Sequence, residues 1–133
     1  MRQPFIILMA DDDMEDIEVM EEAIRSFRSD IQFHKVMNGR AVLNFLDEHA
    51  DNQLPCLIIL DYNMPELNGL EVLATLCKEA KYRSITKVIF STSSAPRHIK
   101  ECMVNGAADY FVKPTNMKDL HQVVQKLMAY CRA

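Results

Sequence analysis

The chain has 133 residues, 49% of them hydrophobic, and a formal charge of −4 from 15 Lys plus Arg against 19 Asp plus Glu. That is one domain's worth of sequence, able to bury roughly two-thirds of the surface its unfolded chain exposes, which excludes a disordered tail. No apolar run approaches the ~20 residues of a membrane span, the opening apolar stretch runs into acids too soon for a signal peptide, and the negative balance disfavours direct nucleic-acid binding.

The charge is uneven: residues 1–24 carry eight acids against one base, Arg2. Within that segment, residues 5–10 form a continuous apolar run that ends at Asp11, Asp12 and Asp13, as expected of a strand buried on both faces. Ile17, Met20, Ile24 and Phe27 then recur at helical steps, with Asp13, Glu15 and Asp16 placed to favour that helix's N-terminus through its dipole. Residues 31–37 predict a second strand, and Asn38 caps a second helix whose inner side holds Val42, Phe45, Leu46 and His49. Residues 49–54 look like a small insertion. Residues 56–60 predict a third, wholly apolar strand that stops at Asp61. The turn Asn63-Met64-Pro65-Glu66-Leu67-Asn68-Gly69 follows, and then a third helix with Leu70, Leu73, Leu76, Cys77 and Ala80 on its apolar face. A fourth strand, centred on 88–90, ends at Ser91. Ser93 or Ser94 caps the fourth helix, which has Pro96 in its first turn, Ile99, Cys102 and Met103 facing inward, and Gly106 past its end. Residues 110–112 predict a fifth strand stopped by Lys113-Pro114, and Leu120, Val123, Val124, Leu127 and Cys131 stripe a fifth helix.

Five strands alternating with five helices predict an α/β fold, a parallel sheet with helices on both faces. No linker or repeat interrupts the pattern, so a single domain over 1–133 without an output domain is expected. The four cysteines form no C-x-x-C pair, and the expectation is buried free thiols in a reducing cytoplasm. His34, His49, His98 and His121 show no ligand spacing.

In an open parallel sheet, ligands bind beyond the carboxyl ends of the strands. Asp11 and Asp12, Asp61, Ser91 and Lys113 stand at four of those ends. Three carboxylates in one cleft repel each other and demand cations. One divalent ion and Lys113 balance them, and oxygen-only ligands favour Mg²⁺. The same charges suit a transferring phosphoryl group, with Asp61 on the middle strand as its nucleophilic acceptor.

The motifs Leu8-Met9-Ala10-Asp11-Asp12-Asp13, Leu60-Asp61-Tyr62-Asn63-Met64-Pro65 with Gly69, Phe90-Ser91-Thr92-Ser93, and Gly106 through Pro114, each at a strand end and in this order, resemble response-regulator receiver domains of two-component signalling. The resemblance covers essentially the whole chain and is weakly similar to the stand-alone, phytochrome-associated type. It implies a doubly wound, five-stranded (βα)5 flavodoxin-like sheet of order 2-1-3-4-5. It also implies a phosphoacceptor, not an enzyme acting on other substrates, in which Asp61 takes a phosphoryl group from a sensor histidine kinase or phosphotransfer protein. Mg²⁺ is then held by Asp12 and Asp61, by the Asn63 backbone carbonyl and, through water, by Asp11. Ser91 and Lys113 bind phosphoryl oxygens, Ser91 and Tyr110 form the switch, and Asn63 and Ser93 tune dephosphorylation. A cis Lys113–Pro114 bond, a cytoplasmic location and a homodimer through the fourth helix, fifth strand and fifth helix are also implied. Three aspartates in a row leave the register open by one, with Asp13 as the alternative ligand, and Ser91 replaces the commoner Thr. The competing readings are a pseudo-receiver that binds partners without phosphorylation, and a small phosphohydrolase. The second lacks the acid–base Asp it needs, because Asn63 stands there.

Overall fold

The structure is a computed structural model that describes residues 5–49 and 51–131. Five parallel strands, β1 (Ile6–Ala10), β2 (Gln32–Val36), β3 (Leu57–Leu60), β4 (Thr86–Ser91) and β5 (Asp109–Val112), form one sheet in the order β2-β1-β3-β4-β5. The helices are α1 (Met14–Phe27), α2 (Gly39–Glu48), α3 (Gly69–Cys77), α4 (Ala80–Arg83), α5 (Pro96–Val104) and α6 (Met117–Tyr130). The doubly wound sheet and its strand order match the expectation from sequence. The four-residue α4 is additional, so the fourth and fifth helices read from sequence are α5 and α6. A 3-10 turn, Asp51–Gln53, occupies the insertion before β3.

Strand alternation divides the core in two. Ile7, Met9, Ile59, Val88 and Phe90 pack with Ile17, Met20 and Ile24 of α1 and Leu120, Val124 and Leu127 of α6. Leu8, Ile58, Leu60 and Ile89 face the other way, onto Val42 and Leu46 of α2, Val72, Leu73 and Leu76 of α3, and Cys102 of α5. Central strands flanked by helices on both sides need apolar residues at every position, hence the unbroken runs in β1 and β3.

Four local expectations are corrected. Cys56 and Cys131 form a disulfide, with Cα atoms 5.5 Å apart, because the end of α6 crosses the start of β3; Cys102 is a buried free thiol and Cys77 an exposed one. The N-cap of α5 is Ala95, which makes no side-chain cap bond, and Pro96 stands in the first turn. Met103 lies on the outer side of α5, since Cys102 takes the inward position. The Lys113–Pro114 bond is trans: no peptide bond among the described residues is cis.

Candidate functional site

The site is built on the carboxyl ends of β1, β3, β4 and β5. The register pairs Ala10 with Leu60 and Ser91 with Val112, so the residues that follow, Asp11, Asp61 and Lys113, leave the sheet side by side. Backbone bonds extend the ladder one step and fix these residues: Asp61 N–H to Ala10 O at 3.0 Å, and Lys113 N–H to Ser91 O at 2.8 Å. The turn after Asp61 folds back tightly. A Cβ at Gly69 would lie 2.5 Å from the Asp61 carbonyl oxygen, so no larger residue fits there without moving the end of β3.

Asp11 is fully buried and Asp61 is only 7% exposed, whereas Asp12 faces solvent. One carboxylate oxygen from each of the three lies within 4.8 Å of the others. The Lys113 ammonium reaches into this group: its Nζ is 2.8 Å from Asp11 Oδ2, 3.3 Å from Asp61 Oδ2 and 2.8 Å from Asp16 Oδ2. The contact with Asp11 Oδ2 is an ion pair without hydrogen-bond alignment, and this buried oxygen accepts no hydrogen bond.

Burial pushes the Asp11 carboxyl up to about 6, reinforced by the Asp61 charge, against the lowering effects of Lys113 and the Asp13 N–H. For Lys113, burial pulls downward, but the close contacts with the Asp11 and Asp16 carboxylates and the charge of Asp61 outweigh it; the pKa is raised and the ammonium stays charged.

Asp13 is occupied elsewhere. Its carboxylate caps α1, accepting from the Glu15 N–H at 3.0 Å and the Asp16 N–H at 3.4 Å. Asp16, expected only to favour the helix dipole, instead bonds Lys113. No spacing signal marks it, because Asp12 lies outside α1 and Asp16 stands in the first helical turn like Glu15. The pocket therefore gathers four acids around one lysine, a more negative balance than the strand ends alone suggest.

Ser91 is buried, and its Oγ accepts the Ser93 N–H at 3.3 Å. The half-buried Tyr110 donates its hydroxyl to Ser93 O at 2.7 Å, and burial raises its pKa. Asn63 is exposed at the rim. Hard oxygen donors clustered around an unsatisfied buried carboxylate oxygen suit a divalent cation such as Mg²⁺. Asp11, Asp12 and Asp61 are the residues able to hold it.

A doubly wound sheet with acids and a lysine gathered at its switch-point edge defines, in general terms, an α/β protein with a polar ligand site beyond its strand ends. The family model for the response regulator receiver domain matches residues 7–125, and the chain belongs to that family, the receivers of two-component signalling. Among curated proteins it is similar to the two-component response regulator ARR8 of Arabidopsis thaliana, 30% identical across 93% of this chain; the match spans 61% of that protein's length. A rice regulator, ORR12, is 30% identical over 89% of this chain and 93% of its own. Among solved structures, the phosphorylated cyanobacterial phytochrome response regulator RcpA superimposes with a TM-score of 0.85 at 25% identity, covering 96% of this chain and 93% of that one. The Mn(2+)-bound form of response regulator Rcp1 gives 0.83 at 27%, covering 95% and 93%. No helix among the described residues is long and apolar enough to cross a membrane.

Proposed function

We propose that this receiver accepts a phosphoryl group on Asp61 from the phosphohistidine of a sensor histidine kinase or phosphotransfer protein, and that the modified domain signals by changing a protein-binding face. The observation that carries the reading is the placement of the Asp61 carboxylate, almost buried, beside the Lys113 ammonium and within 4.8 Å of the Asp11 and Asp12 carboxylates. The phosphorylated state of RcpA and the bound metal of Rcp1 support it by analogy.

An Asp61 oxygen attacks phosphorus in line, the P–N bond to the donor imidazole breaks, and an acyl phosphate remains. Lys113 pairs with one phosphoryl oxygen while Asp16 keeps its ammonium aimed into the pocket. Ser91 turns its hydroxyl from the Ser93 N–H to another phosphoryl oxygen. Asp11, Asp12 and Asp61, with the Asn63 carbonyl, would hold Mg²⁺, which would supply positive charge to the transferring phosphoryl group. A divalent ion would also offset most of the negative charge that Lys113 alone leaves on the four acids.

The switching part of the proposal uses Ser91 and Tyr110. When Ser91 turns, the Ser93 backbone loses a partner, and Tyr110, bonded to Ser93 O, moves with it. The face that would read this movement, α5, β5 and α6, exposes Met103, Val104 (76% exposed), Val112 and Met117, which suits a partner protein or a second copy. Asn63 and Ser93 are proposed to tune the phosphorylated lifetime. A cytoplasmic location, where ATP charges the donor kinase and the Cys56–Cys131 pair would be reduced, belongs to the same proposal.

The test is incubation with acetyl phosphate and Mg²⁺, read by mass spectrometry. One added phosphoryl group is expected on the wild-type chain and none on Asp61→Asn. Labelling of Asp61→Asn at the wild-type level sinks the assignment. A pseudo-receiver predicts no labelling of either chain.

A further inference from the structure

Ser93 is a junction. Its N–H donates to Ser91 Oγ at 3.3 Å, its carbonyl accepts from the Tyr110 hydroxyl at 2.7 Å, and its Oγ lies 2.7 Å from His98 Nδ1. The Ala95 N–H also points at that Oγ, at 3.4 Å. His98, on the first turn of α5, stacks its ring flat on Tyr62, with centroids 4.1 Å apart and planes 13° from parallel. Tyr62 immediately follows Asp61 in the chain. One imidazole thus ties together the residue beside the phosphoacceptor, the loop after β4 and the helix of the proposed output face.

We propose that His98 is a positioning residue that sets the lifetime of the phosphorylated form. The proposal rests on the reading of Asp61 as phosphoacceptor. The Ala95 N–H occupies one lone pair of Ser93 Oγ, and the hydroxyl proton goes to His98 Nδ1, with the ring in its neutral Nε2–H tautomer. Held this way, the Ser93 hydroxyl is directed at the α5 imidazole and away from the phosphoryl group. Dephosphorylation needs a water oxygen to attack phosphorus, the bond from phosphorus to the Asp61 oxygen to break, and Asp61 to leave as carboxylate while inorganic phosphate carries off both water protons. A Ser93 hydroxyl released from His98 is free to bind and orient that water. His98 withholds this help, and it also fastens the Ser93 junction to α5, so that movement of Ser91 reaches the helix.

The experiment phosphorylates the full chain with acetyl phosphate and Mg²⁺, removes the donor and follows loss of the label. His98→Ala should lose it about threefold to tenfold faster than wild type, the range one net hydrogen bond supplies. In a Ser93→Ala background, which has no hydroxyl to release, the His98→Ala acceleration should largely vanish. His98→Asn, whose side-chain oxygen stands near the place of Nδ1, should decay more slowly than His98→Ala. Long-range ¹H–¹⁵N correlation spectra should show His98 as the Nε2–H tautomer. Decay of His98→Ala at the wild-type rate, an equal acceleration with and without the Ser93 hydroxyl, or an Nδ1–H tautomer overturns the proposal. Absence of label on every chain overturns the Asp61 reading itself, and this inference with it.

Discussion

Two buried lysines at opposite ends of the sheet behave in opposite ways. Lys113, at the carboxyl end of β5, sits among Asp11, Asp16 and Asp61 and is held charged. Lys87, near the amino end of β4, has the Tyr82 carbonyl at 3.0 Å as its hydrogen-bond partner, and burial pulls its pKa down. Both have lost most of their water. The difference lies in the neighbours: facing carboxylates turn a desolvated ammonium into a fixed positive charge, and a lone carbonyl does not. At the carboxyl end the buried Asp11 Oδ2 still accepts no hydrogen bond. The amino end is closed by the Cys56–Cys131 bond and by the Arg28 guanidinium, 3.5 Å over the Phe5 ring.

Substitutions at the two ends should separate function from stability. The largest effect belongs to the carboxyl end. Asp61→Asn should remove phosphorylation entirely, and Lys113→Met should slow it by about 10²–10³-fold, the usual cost of deleting one preorganised donor to a transferring group, measured by transfer from acetyl phosphate. At the amino end, Cys131→Ser opens a loop of 75 residues and should lower stability by up to about 4 kcal/mol in oxidising buffer on the chain-entropy model, as read by urea titration, while the labelling rate stays at the wild-type value.

The third prediction concerns pH. The Asp11 carboxyl is raised from 3.8 to about 6 by burial, so between these values the folded protein holds a proton that the unfolded chain has released. Stability of the metal-free protein should therefore fall as pH rises through that window, by roughly 3 kcal/mol in total, and level off above it. Mg²⁺ affinity should run the other way, weakening about tenfold per unit as pH drops below 6, because a ligand must first lose its proton. Chemical denaturation and metal titration at several pH values check both signs; Asp11→Asn should flatten the stability slope. The smallest effect is expected for Lys87→Met, within about 1 kcal/mol of wild type, since an apolar replacement removes a buried charge whose partner is a single carbonyl. A large loss there would show that the amino end also relies on a lysine.

The strand ends were legible because two hydrophobic periods alternate without interruption, so the last residue of each apolar run could be located to within one position. This placed Asp11, Asp12, Asp61, Ser91 and Lys113 at one edge of the sheet before any coordinates. What remained hidden depends on contacts between distant segments. In one dimension Asp16 looks like any acid in a first helical turn, and only the approach of β5 to α1 shows it bonded to Lys113. Cys56 and Cys131 carry no spacing signal; they meet because α6 returns across the start of β3. The four residues of α4 are too few to show a period. His98 shows no ligand spacing in the sequence, and only the fold lays its ring on Tyr62.

Lys113 comes from the last strand of the sheet, while Asp11 precedes the first helix. The pocket therefore closes a long loop, with Asp16 and Lys113 alone 97 positions apart, and in a sheet with no hairpins none of its walls can form early by local pairing. During synthesis, which proceeds from the N-terminus, a nascent chain exposes Asp61, the proposed acceptor, well before the lysine that completes its surroundings has emerged. On that proposal, competence to receive a signal coincides with completion of the fold, and a truncated or half-made copy carries Asp61 without the lysine beside it.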